Sequence, residues 1–164
     1  MLEPPDPREA PRSSVSMQGL TVQVPRGWEA RIQQSAASVE GAQQFPIMHA
    51  ATVPLPTDRA DYGGGVVEKL GSSDVFVSLV EFGEEAVGSN LYKTVTTLPA
   101  ITASLFHPFQ LQRKIPGQAG AQIFFTLRGR AFCLYVVIGS YSRRIELAEL
   151  ANRIVLGMTV TPRS

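Results

Sequence analysis

The side chains best suited to covalent chemistry are one thiol and two imidazoles: Cys133, His49 and His107. A thiolate beside an imidazole would be an activated nucleophile. Cys133, however, lies inside Phe132-Cys133-Leu134-Tyr135, where a thiol behaves as a small hydrophobe and burial raises its pKa. It is therefore expected in the core, and as the sole cysteine it excludes an intrachain disulfide and a four-thiolate zinc site. His49, between Met48 and Ala50, could join Asp58 and Asp61 in a sparse metal site. A histidine hydrogen-bonded inside a sheet is the simpler expectation. No Gly-x-Ser-x-Gly elbow, His-Glu-x-x-His helix or paired-cysteine spacing occurs. The chain is thus expected to be no enzyme, with no catalytic residue, metal or cofactor.

Two glycine clusters raise the question of phosphate. Gly83-Glu84-Glu85-Ala86-Val87-Gly88-Ser89 has phosphate-loop glycine spacing, but Ser89 replaces the lysine and two glutamates would repel the anion. Gly63-Gly64-Gly65 could offer backbone amides to an anion at a helix start, with Asp58 and Asp61 upstream opposing it. Ordinary turns are expected at both.

Charge is more informative than any motif. The whole chain carries +1, which argues against a general affinity for nucleic acid or anionic membrane. Residues 58–92 hold seven acids against Arg59 and Lys69, whereas residues 110–164 hold eight basic side chains against Glu146 and Glu149. Adjacent in the fold, the two regions would neutralise each other; apart, they would steer a partner. Arg113, Lys114, Arg128, Arg130, Arg143 and Arg144 are the candidate partner-binding residues. They are not interleaved with a ribonucleoprotein-type aromatic motif, so nucleic acid is not expected. Trp28 and Phe109 are the candidate mouth of a ligand cleft between sheet and helix.

The elements that must position these groups follow from periodicity. Residues 1–17 are rich in proline and charge at their start and read as a disordered tail; residues 18–162 read as one domain. Apolar residues alternate at 20, 22 and 24 and again after Pro25-Arg26-Gly27, which predicts an entry hairpin. Residues 47–55 predict a third strand, and 75–82, apolar on both faces, a central one. Residues 121–128 and 131–138 predict a hairpin turning at Gly129. One helix is expected after Ser142 as cap, burying Leu147, Ala148, Ala151, Ile154 and Val155 and stopping at Gly157. A shorter helix over 66–70 and a last strand over 159–161 complete the set. The longest apolar run, 131–138, is far below the ~20 residues of a membrane span. With no basic and apolar leader pattern either, a soluble cytoplasmic protein is expected. Arginine outnumbers lysine twelve to three, which points to a high-GC, bacterial genome.

The opening strand, Val24-Pro25-Arg26-Gly27-Trp28, the hairpin Ile123-Phe124-Phe125…Phe132-Cys133-Leu134-Tyr135 and the terminal helix together resemble PsbP-like domains. The resemblance implies an α+β fold: a central, mostly antiparallel sheet of six or seven strands flanked by helices, an α/β/α sandwich. This fold is shared with photosystem II extrinsic proteins and a Ran-binding nuclear import factor. It supplies no catalytic residue, and fold alone does not carry function. The expected role is a non-catalytic protein-interaction or assembly domain with a protein partner; the alternative is a small-molecule or lipid-binding module.

Overall fold

The computed structural model describes residues 13–34 and 45–163. Among the described residues, eight strands precede a single α-helix and a ninth follows it. The early strands are β1 (Ser13–Met17), β2 (Leu20–Val24), β3 (Glu29–Gln34), β4 (Pro46–Ala51) and β5 (Val75–Phe82). The later elements are β6 (Thr94–Val95), β7 (Ala119–Leu127), β8 (Arg130–Ile138), α1 (Arg144–Val155) and β9 (Met158–Val160).

They build two sheets, of order β1-β2-β9 and β3-β4-β5-β8-β7-β6. Every pairing is antiparallel except β6 with β7, so the larger sheet is mixed where a mostly antiparallel one was expected. Its two middle strands are β5, read as apolar on both faces, and β8, the longest apolar run. All nine residues of β8 are buried. The β7–β8 hairpin turns on Arg128 and Gly129, at φ 56° and 75°, as the two-residue turn matched to strand twist requires. The same device, at Gln18 and Gly19, joins β1 to β2.

Three expectations are corrected. Residues 1–12 of the supposed tail lie outside the described residues, but from Ser13 the chain is β1, hydrogen-bonded along β2. β2 and β3 do not pair: β2 lies between β1 and β9, and β3 lies on β4. Alternation reports which residues face the core, not which strand is the neighbour. Finally, helices do not flank both faces. The α1 residues Leu147, Ala148, Ala151, Ile154 and Val155 cover one face, sharing a core with Met48, Val77, Leu134 and the inner residues of the small sheet. The opposite face, with Phe76, Cys133, Tyr135 and Val137, is closed by Leu55, Val66 and Val67 from the 52–74 loop. There the expected helix shrinks to one 3-10 turn, Val67–Lys69, because three glycines precede it and disfavour helix.

The helix start also differs. Ser142 sits in the 3-10 turn Tyr141–Arg143 and bonds Ser140 Oγ at 2.9 Å, so α1 begins without a side-chain cap. No helix among the described residues is long and apolar enough to cross a membrane.

Candidate functional site

The Pro25–Trp28 turn carries the chain from one sheet to the other and opens a groove against α1. Trp28 N–H donates to the Pro25 carbonyl at 3.2 Å to close the turn. Gly27 holds φ 88°, a left-handed conformation costly to any side chain. Pro25, Arg26, Gly27, Trp28, Thr52, Leu150 and Arg153 line the resulting groove of about 460 Å³. Trp28 is buried, so its ring forms the wall rather than a protruding lip. Arg26 and Arg153 are exposed at the rim, and neither pairs with a carboxylate among the described residues. An apolar wall beneath two unpaired guanidinium groups suits an anion attached to an apolar body.

Phe109 does not share this groove. It is 74% exposed on another loop, against the His107 ring at 5.1 Å and beneath the Lys114 ammonium at 5.3 Å. Its neighbour Phe106 is buried and plugs the core.

The six basic candidates are not one patch. Arg130 is 1% exposed, which corrects its placement on a contact surface. It opens an apolar strand and grips Glu81 with two bonds, Nε to Oε2 at 3.0 Å and Nη2 to Oε1 at 2.6 Å. Its Nη1 also donates to the Thr161 carbonyl at 3.0 Å, tying the large sheet to the chain after β9. Arg163 adds a second cation to Glu81. Arg113 pairs with Glu68 at 3.0 Å, and Arg143 with Glu146 at 2.7 Å. Arg143 further donates to Ser73 Oγ, and Arg144 lies over the Tyr141 ring. Acidic and basic regions therefore meet and partly neutralise each other. Lys114 and Arg128 have no carboxylate partner among the described residues. The Arg130–Glu81 pair was missed by sequence reasoning, although its signal was present. A lone acid in 75–82 and a lone arginine at the start of an apolar strand each need a partner once buried.

His49 is fully buried and both its nitrogens are used. Arg59 Nε–H donates to Nδ1 at 2.7 Å, so Nε2 carries the proton and donates to the Asp61 carbonyl at 2.7 Å. Burial, opposed by that bond and reinforced by the Arg59 charge, pulls its pKa down to about 4. The same carbonyl accepts from Ser78 Oγ at 2.8 Å. The histidine thus pins the 52–74 loop onto the sheet. Among the described residues, no group of three or more His, Cys, Asp or Glu could hold a metal ion.

Cys133 is buried and makes no hydrogen bond to either histidine; burial pushes its thiol up to about 12. The glycine clusters are turns: Gly65 N–H already donates to Glu68 Oε2 at 2.8 Å, and Glu84–Ala86 is a 3-10 turn. Compared with protein-family models, curated proteins and solved structures, the chain matches none of them.

Proposed function

We propose that this domain is a non-catalytic binding module that takes a small organic anion with an apolar body in the groove between α1 and the Pro25–Trp28 turn. The observation that carries the reading is Arg26 and Arg153, without a carboxylate partner among the described residues, at the groove walled by Trp28. A ligand face covering roughly 150 Å² of apolar surface gains ~4 kcal/mol. Two charge-assisted contacts at a partly exposed rim add about 1.5 kcal/mol each. Before ordering costs, this sets a Kd on the order of 10 μM or weaker.

Trp28 is the chain's single tryptophan, so its fluorescence reports on this groove alone. Titration with 1-naphthoate and decanoate is expected to change Trp28 emission saturably. Arg26→Glu with Arg153→Glu is expected to weaken binding at least tenfold. An unaltered emission, or an affinity unchanged in the folded double variant, overturns the reading.

A protein partner is the second reading, supported by exposed Ile145 beside Arg143 and Arg144 at the start of α1. Arg143→Glu with Arg144→Glu then abolishes partner capture. We also propose kinship with PsbP-like domains, supported by the Gly129 hairpin followed by α1 and β9, and a cytoplasmic location.

A further inference from the structure

The small sheet ends at β9, and one side of that strand has no neighbour. Gln23 N–H donates to the Gly157 carbonyl and Thr161 N–H to the Gly19 carbonyl, each at 2.9 Å. With Thr159 opposite Thr21, residues 157, 159 and 161 turn their backbone polar groups toward β2. In an antiparallel ladder the residues between them turn theirs the other way. Met158 and Val160 therefore aim N–H and C=O at the free side, where no strand among the described residues pairs with them. Such an edge is a template for another chain.

A groove of about 260 Å³ borders this edge, lined by Met158 and Val160 themselves. Leu98, Leu127 and Val155 give it apolar surface, and Leu156, 82% exposed, adds more. Arg128 is the charged residue in its lining; it is exposed and has no carboxylate partner among the described residues. The lining comes wholly from stretches without an acid, since neither 86–145 nor 150–164 contains Asp or Glu. The edge thus presents backbone donors and acceptors, an apolar groove and one positive charge.

We infer that the β9 edge docks an extended, acidic segment of a protein partner, which adds to the small sheet as a fourth strand antiparallel to β9. Both existing pairings in that sheet are antiparallel. Two residues of the segment, opposite Met158 and Val160, exchange both backbone bonds with them. Residues directly opposite share a face, and Met158 and Val160 face inward. Those two positions therefore take apolar side chains, directed at the groove, while the position between them faces solvent as Thr159 does. An Asp or Glu at the end of the segment meets Arg128. A second copy pairing β9 with β9 would supply Arg128 with no carboxylate, so charge favours an acidic partner. The edge shares no lining residue with the Trp28 groove, so either site can fail without the other.

The probe is the peptide acetyl-Asp-Val-Thr-Val-Thr-Asp-amide, titrated into the full chain and followed by backbone amide shifts and hydrogen exchange. Saturable shifts with a Kd on the order of 0.1 mM are expected for so short a strand. The Met158 and Val160 amides are expected to exchange at least tenfold more slowly in the saturated complex. Methylating the backbone nitrogens of both valines removes the donors that face β9, and is expected to weaken binding at least tenfold. Replacing both Asp by Lys is expected to do the same. Arg128→Glu, a change at an exposed turn, is expected to reverse the preference between the Asp and Lys peptides. Equal binding of the methylated peptide overturns strand addition, and equal binding of the Lys peptide overturns the acidic partner. Absence of shifts and of slowed exchange at Met158 and Val160 overturns the site itself.

Discussion

Protonation of His49 is the perturbation whose consequence can be worked out most fully. Its imidazole titrates at 6.5 when free and at about 4 in the fold, with burial the principal cause. That gap is worth about 3 kcal/mol between the two protonation states. The sign follows from linkage. Above pH 6.5 neither state holds the proton, and His49 imposes no penalty. Between pH 6.5 and 4 the unfolded chain binds it and the folded chain does not, so stability falls as pH falls. Below pH 4 both states are protonated and the loss levels off at about 3 kcal/mol. The geometry explains why the fold resists. Nδ1 already accepts from Arg59, and a proton there would set two cations against each other at 2.7 Å. The assay is urea unfolding from pH 7.5 to 3.5 of wild type and His49→Gln, whose amide can still accept from Arg59 and donate to Asp61. Carboxylates titrate in both proteins and cancel in the difference. The variant is expected to be the less stable at pH 7.5, through lost packing on Phe76, and to gain on wild type by about 3 kcal/mol by pH 4. Parallel stability curves across that interval would refute the reasoning, since they require His49 to bind its proton equally in both states.

Two more measurements test the interior. Arg130→Ala leaves Glu81 buried with only Arg163 beside it and is expected to cost about 3–5 kcal/mol in chemical denaturation. Arg130→Met with Glu81→Leu removes both charges together and recovers most of that loss, so an equally unstable double variant would show that the pair has a further role. Cys133 is expected to resist a thiol reagent in the native state, because burial holds its pKa at about 12, and to react at the rate of global opening. Fast modification of the folded protein at neutral pH would mean that the β8 strand opens locally.

Much of the architecture depends on short-range information and was legible in the sequence. The buried stripe of α1 follows from helical spacing alone, and all five residues assigned to it are buried. The β7–β8 hairpin follows from two apolar runs separated by a glycine free to take positive φ. Burial of Cys133 follows from its apolar neighbours. In each case the physical cause lies within one turn or one strand of the residue concerned.

The tertiary structure alone decided whatever depends on a distant partner. Alternation in β2 marked its inner face but could not say that β1 and β9, rather than β3, would lie beside it. A count of charges could not show that Arg130 leaves the surface to grip Glu81, while Arg26 and Arg153, beside Trp28, have no carboxylate partner among the described residues. The same holds for Gln118, whose Nε2 donates to a Val67 carbonyl brought in from a distant segment. Periodicity encodes the energy of inside against outside, and each residue carries that locally. Partner choice and the balance of a buried charge are set by what else reaches the same place, and only the folded chain determines that.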